Sequence, residues 1–282
     1  MSRFSSWSGR SLDEPTGVET TLFNVPTYVA KPEPRVKPRG IIVFITDIFG
    51  WQSNDNRRLC DAYAKKGQYL VYCPDFLNGA ISTRAVAGSW VDNIMTKPSA
   101  VIQLLPLAVS TQLNTRISET HPRVIAFFQA LRKNPPPFNT DSLKIGVAGF
   151  GWGAKHAVML AQAHSSTCVR RHQSQRGFKG PQPLVDCAFI AYPAMLKVPE
   201  DPQLVTMPLS VAVGDCDNVL RKSEAERVKI ILERRQGLHE IHIWPGARHG
   251  FAVKNETTDE EDIWCADLTE RQALAWFAKW LV

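Results

Sequence analysis

The sequence predicts an α/β fold, a mostly parallel central sheet with helices on both faces. Three observations carry that prediction. Short apolar runs such as "GIIVFI" at 40–45 have the continuous β-branched character of strands buried on both faces. These runs alternate with amphipathic helical segments along the chain, the pattern of a parallel sheet wrapped by helices. Several of the runs end in loops rich in Gly, Asp or His, which is where open parallel sheets collect their chemistry.

Each element has its own signal. The stretch "ETTLFNVPTYVAKP" reads as edge strands with Pro-containing turns. "RGIIVFITDIFG" is a buried strand followed by a loop, and Asn54 to Lys66 is a helix with Leu59, Ala62 and Tyr63 on one face. "QYLVYCPDFLNG" is the next strand. "PRVIAFFQALRK" is an amphipathic helix stopped by Pro135-Pro136-Pro137. The strand "LKIGVAGF" runs into a helix from Trp152 to Ala163. Strands "LVDCAFIAYP" and "LSVAVG", helix "SEAERVKIILERRQ", strand "EIHIWP" and helix "TERQALAWFAKWL" complete the series.

Residues 1–17 form a polar lead-in, and 18–282 are expected as a single domain. Within it, 80–118 mix apolar segments with Ser, Thr and Pro and suit a small cap or lid. The polar, basic, aperiodic stretch 164–183 suits a mobile surface insertion. No internal repeat is visible.

Composition narrows the function classes. With 44% hydrophobic and 21% charged residues the chain is globular rather than disordered. The net charge of +6 is spread out, and no basic stripe carries interleaved aromatics, so no nucleic-acid partner is expected. The apolar runs fall far short of the ~20 residues of a spanning helix, so no membrane partner is expected either. The six cysteines contain no C-x-x-C pair, and no metal is predicted. Without a visible apolar leader they suit reduced thiols in a cytoplasmic protein. No phosphate-cradling loop or dinucleotide fingerprint is present, and no cofactor is predicted.

The chemistry concentrates in "KIGVAGFGWGAKHAVML" at 144–160. Gly149-Phe150-Gly151-Trp152-Gly153 has the layout of a nucleophile elbow, G-x-S-x-G, with glycine at the central position. Gly151 is equally readable as the left-handed residue of a tight strand-to-helix turn. Later loops carry Asp215-Cys216-Asp217 and Arg248-His249-Gly250-Phe251. Elbow, acid and His in that order is the chain order of an α/β-hydrolase triad. From the residues alone either Asp215 or Asp217 can be the acid, and Asp217 can equally cap the helix that follows. Asp47 can be a turn former.

The motifs "DIFG", "CPDF", "GFGWGAKHA", "GDCD" and "RHGFA" resemble those of the dienelactone hydrolase family, in its fungal-like branch, from residue 20 to the C-terminus. The resemblance implies an α/β-hydrolase fold and a Cys nucleophile in a G-x-C-x-G elbow. It implies His249 as base, Asp217 as its orienting carboxylate, and backbone N–H groups of Trp152 and Ile48 as the oxyanion hole. Asp47 falls where the family has an acidic residue beside the nucleophile. The departure is Gly151, which offers no attacking atom. Trp51, Tyr192, Met195 and Phe251 are candidates for an apolar or aromatic substrate wall, and Arg248 for an acidic substrate group.

Three functions follow. The first is a dienelactone hydrolase-like protein acting on a lactone, ester or related carbonyl small molecule. The second is a nucleophile-free isomerase, cyclase or lyase of secondary, polyketide-type metabolism with His249 as general base. The third is a non-catalytic small-molecule-binding pseudo-hydrolase.

Overall fold

The computed structural model describes residues 13–79, 116–235, 237–253 and 260–281. The expected lead-in therefore lies outside the described residues up to residue 12. The expected cap lies outside them over 80–115, and 116–118 instead open a helix.

Among the described residues eight strands form one sheet: β1 Val18–Leu22, β2 Val25–Ala30, β3 Ile41–Ile45, β4 Leu70–Pro74, β5 Ile145–Phe150, β6 Cys187–Ala191, β7 Leu209–Gly214 and β8 His239–Trp244. Their spatial order is β1-β2-β4-β3-β5-β6-β7-β8. The β1–β2 and β2–β4 pairings are antiparallel, and the remainder are parallel. The β1–β2 hairpin turns through Phe23 and Asn24, both at positive φ (52° and 65°), as a two-residue turn matched to strand twist requires.

Among the described residues the helices are α1 Asn54–Gly67, α2 Ile117–Lys133, α3 Trp152–Ala161, α4 Glu200–Gln203, α5 Lys222–Glu233 and α6 Glu260–Trp280. Alternation along each buried strand divides two cores. Ile41, Val43 and Ile45 of β3 face one side with Val124 and Phe128 of α2, Ala157 of α3 and Val228 of α5. Ile42 and Phe44 face the other with Leu59 and Tyr63 of α1 and Trp276 and Phe277 of α6.

Two helices begin earlier than their sequence signals. α2 starts at Ile117, ahead of Pro122, which the chain tolerates inside the helix. α6 starts at Glu260 rather than Thr269, because the polar opening "EEDIWCADL" also lays apolar Cys265 and Ala266 onto the core. The stretch 164–183 is better tethered than its composition suggests. Val169 and Gln182 bridge, Arg171 bonds Asp186 at 3.1 Å, and the Phe178 ring lies 3.7 Å from the Arg171 guanidinium.

That last contact belongs to a buried ion cluster at the amino ends of β5 and β6. Arg132 donates to Asp186 Oδ2 at 2.7 Å and to the carbonyls of Leu184 and Leu143. Burial pushes the Asp186 carboxyl up, but Arg132 and Arg171 outweigh it and hold the group below its ordinary value.

The chain leaves β3 toward β4 on one side and reaches β5 on the other. The crevice at the carboxyl ends of β3 and β5 is thus a topological switch point, where ligands of open α/β sheets bind.

Candidate active site

Two loops meet at that crevice. Helix α3 starts directly after β5, and the Gly153 N–H donates to the Thr46 carbonyl at the end of β3 at 3.1 Å. This contact needs glycine, since a Cβ at 153 would press on the Ile45 and Thr46 backbone. The same bond holds the Ile48 loop beside the start of α3, where the Trp152 N–H occupies the first helical position. Donors at a helix N-terminus favour negative charge.

Gly151 sits between these elements at φ 50°, ψ −110°. The positive φ matches the expected turn, but the ψ differs from that of the left-handed helix region. This is the strained elbow conformation, sparsely accessible to a residue with a side chain and open to glycine. The backbone has the shape of an elbow, and the central residue carries no side chain.

The loops after β7 and β8 bring Asp217 and His249 together. His249 Nδ1 lies 3.0 Å from Asp217 Oδ1 and 2.9 Å from Oδ2. The Asp217 side chain is fully buried, and its Oδ1 also accepts the N–H groups of Val219 at 2.7 Å and Leu220 at 3.2 Å. Those bonds hold the carboxylate independently of the His. The His249 ring is partly exposed. An acceptor-only carboxylate at Nδ1 places the imidazole proton there and leaves Nε2 with its lone pair. Asp215, the competing acid, instead accepts the Gly246 N–H at 2.7 Å and pairs with Lys222.

Asp47, the residue after Thr46, is buried. Its Oδ1 accepts the Phe49 N–H at 3.1 Å and Asn56 Nδ2 at 3.2 Å, and its Oδ2 accepts the Tyr192 hydroxyl at 3.1 Å. Burial pushes the carboxyl above its ordinary value, opposed by these donors and by His249. Tyr192 follows β6 and presents its ring edge-on to His249, with centroids 5.2 Å apart.

The remaining candidates fall into different places. Phe251 is buried behind Tyr192, with ring centroids 6.1 Å apart. Trp51 does not form an open wall: it is buried, with the Arg57 guanidinium 5.0 Å from its ring. Arg248 is exposed beside Cys216. Met195 is exposed too, as are Ile48, Phe49 and Val219 on the loops after β3 and β7.

Two features escaped the sequence reading. Asn56, Leu59, Cys60 and Tyr63 share one face of α1, so a polar residue on an apolar stripe was the available signal for the Asp47–Asn56 bond. The second is a histidine pair under Trp152. His156 meets the Trp152 ring at 4.4 Å and lies 3.0 Å, Nδ1 to Nδ1, from His121. Thr120 gives its hydroxyl proton to the Arg116 carbonyl, so His156 Nε2 donates to Thr120 and His121 donates to His156. Burial, then neighbouring His121 and Lys155, push His156 down to about 3, and burial and Lys155 push His121 down to about 4. Both are neutral packing groups.

Among the described residues no group of three or more His, Cys, Asp and Glu side chains is arranged to hold a metal ion, and no helix is long and apolar enough to cross a membrane.

Strand order, elbow and His–Asp pair together define an enzyme of the α/β-hydrolase superfamily. The chain belongs to the dienelactone hydrolase family, whose model matches residues 25–171 and 176–281. It is similar to dienlactone hydrolase 1 of Gibberella moniliformis, 25% identical over 270 residues, covering 95% of this chain and 89% of that one. It is also similar to the hydrolase pyvD of Aspergillus violaceofuscus, 23% identical over 269 residues and covering 95% and 92%. These fungal relatives fit the fungal-like branch. Among solved structures, a dienelactone hydrolase from Anabaena variabilis superposes with a TM-score of 0.57 at 16% identity, covering 95% and 98%. Esterase 2 of Thermogutta terrifontis, in its apo form, does so at 0.61 and 15%, covering 95% and 96%. Both share the fold.

Proposed function

We propose that the protein acts on a lactone, ester or related carbonyl small molecule, with His249 as general base and no acyl-enzyme. The observation that carries this reading is the intact His249–Asp217 pair, 2.9 Å apart, beside an elbow whose central residue is glycine. Asp217 holds the proton on Nδ1, so Nε2 takes one from water near the bound carbonyl. The water oxygen adds to the carbonyl carbon, and the negative charge gathers on the carbonyl oxygen between the Trp152 and Ile48 N–H groups. Collapse breaks the ring or ester C–O bond, and His249 returns the proton to the leaving oxygen. Lactone closure is the same path in reverse.

The exposed apolar side chains of Ile48, Phe49, Met195 and Val219 favour a substrate with an apolar or aromatic body, of the kind secondary metabolism makes. A second reading shares the base. If the proton taken by His249 comes from a substrate carbon or hydroxyl, the same groups perform isomerisation, cyclisation or elimination.

The test is a panel of small lactones, activated esters and hydroxy acids, followed by mass spectrometry in ¹⁸O-water, with His249→Ala alongside. Turnover that depends on His249 and places ¹⁸O in the product supports the hydrolytic reading. His249-dependent turnover of a lactone or ester without ¹⁸O uptake supports the second. Turnover unchanged in His249→Ala overturns both.

A further inference from the structure

We propose that Tyr192, tied to Asp47, crowds the space over Gly151, so that this site disfavours a side-chain nucleophile rather than merely lacking one. A Cβ built on Gly151 would lie 3.1 Å from Asp47 Cβ, 3.1 Å from Tyr192 Cε2 and 3.6 Å from Tyr192 Cδ2. Carbon pairs prefer about 3.5–4.0 Å. Two of the three contacts are therefore tighter than carbon pairs prefer, and both the Tyr192 ring and Asp47 Cβ must give by a few tenths of an ångström before a side chain fits.

Neither is free to do so cheaply. The Tyr192 hydroxyl donates to Asp47 Oδ2 at 3.1 Å in a buried bond, and Asp47 is held in turn by Asn56 and the Phe49 N–H. Phe150, Phe251 and His249 surround the ring at centroid distances of 6.0, 6.1 and 5.2 Å. The backbone is pinned on both sides. Tyr192 N donates to the Ala212 carbonyl at 2.9 Å, Gly151 N to Ala191 at 3.2 Å and Ala194 N to the Gly151 carbonyl at 2.9 Å. Tyr192 itself sits at φ 36°, a conformation costly for a non-glycine residue, which persists only where the surroundings over-determine it.

The result is a single packed unit. The ring that crowds the nucleophile's space also stands edge-on to the His249 imidazole. Tyr192 is thus a steric barrier to the covalent route. This crowding deepens the general-base reading and rests on it for its purpose. Its test reads thiol chemistry alone, so the two can fail separately.

The experiment places a thiol at the elbow with Gly151→Cys, alone and combined with Tyr192→Ala or Tyr192→Phe, in a Cys216→Ser background that removes the exposed native thiol. Each protein is mixed with p-nitrophenyl acetate, and acylation is followed by intact mass and located by peptide mapping. In the reaction read out, the thiolate adds to the ester carbonyl and the C–O bond to p-nitrophenolate breaks, leaving a thioester. The thiol proton passes to His249 or solvent. The backbone strain of a side chain at 151 is common to all three proteins, so differences report Tyr192.

The expected result is acylation at position 151 roughly 2- to 150-fold faster with Tyr192→Ala than without it, the range spanned by coupling between residues in contact. Tyr192→Phe keeps the ring and loses the tie to Asp47, and should fall between. Equal rates with and without Tyr192→Ala overturn the proposal, as does a failure of all three folded proteins to acylate. A stability arm covers misfolding. Gly151→Ala should lower the Tm less in a Tyr192→Ala background than with Tyr192 present, and an equal loss in both overturns the proposal.

Discussion

Asp217→Asn separates orientation of the base from everything else in the site. Asp217 Oδ1 accepts the Val219 and Leu220 N–H groups, at 2.7 and 3.2 Å, and an asparagine Oδ1 can keep both. The amide nitrogen must then stand where Oδ2 stood, 2.9 Å from His249 Nδ1. That amide N–H opposes an Nδ1 proton, and the Oδ1 left 3.0 Å away already accepts two N–H groups, so the Nε2–H tautomer is favoured and the base loses its lone pair. The fold keeps its hydrogen bonds, whereas activity loses the whole general-base contribution. That contribution is about 10²–10⁴-fold, or roughly 3–5 kcal/mol at 1.36 kcal/mol per decade. The assay is kcat/KM on the best-turned-over lactone of the panel across pH, with near-UV circular dichroism to confirm an unchanged fold. An Asp217→Asn protein that is folded and within a few-fold of the parent would refute the orientation argument. Asp217→Ala is the less informative variant, because it also strands the part-buried Val219 N–H and the buried Leu220 N–H, the latter at about 1–3 kcal/mol.

Other outcomes follow from the same geometry. Burial lifts the Asp47 carboxyl above 3.8, so the folded state holds this proton more tightly than the unfolded one. The associated stability is fully present below 3.8 and is lost as pH rises through the folded value. Asp47→Asn cannot ionise, so the Tm difference between parent and variant should move against the parent on going from about pH 4 to 8, as read by thermal melts. Asp186 is the opposite case: its arginine-lowered carboxyl stabilises above 3.8 and loses that effect as pH falls through its folded value. Asp186→Ala leaves buried Arg132 without its counter-ion and should cost about 3–5 kcal/mol in urea unfolding at neutral pH. Gly153→Ala drives a Cβ into the Ile45 and Thr46 backbone, and should cost about 1–3 kcal/mol while displacing the Trp152 and Ile48 donors and lowering kcat more than it raises KM.

The fold was largely legible because its signals are local. Continuous β-branched runs, each closed by a Gly- or Pro-rich loop, can be read one strand at a time, and β3, β5 and β7 stand where those runs stand. The order of the sheet was legible only as a class, since nothing local says that β4 and β5 flank β3. The early starts of α2 and α6 were hidden for a related reason. Thr120 and His121 enter the core through partners on α3, which local periodicity does not see.

At the site the same division holds. Asp217 and His249 were readable as loop residues in hydrolase order, and their approach follows from β7 and β8 being neighbours. The Tyr192–Asp47 bond joins residues 145 positions apart and has no sequence signature. Its partner Asn56 left only a polar interruption in an apolar stripe. What glycine does at 151 was therefore open from the sequence. The missing side chain is visible there, but the ring that crowds its position is not.

The central claim is that chemistry at this site is carried by His249 without a covalent intermediate. The most direct measurement is intact-protein mass spectrometry of the enzyme acid-quenched during steady-state turnover of a lactone or ester substrate. The account predicts the unmodified protein mass throughout, with turnover abolished in His249→Ala. A protein population heavier by the acyl group, formed and discharged at the rate of turnover, would contradict it.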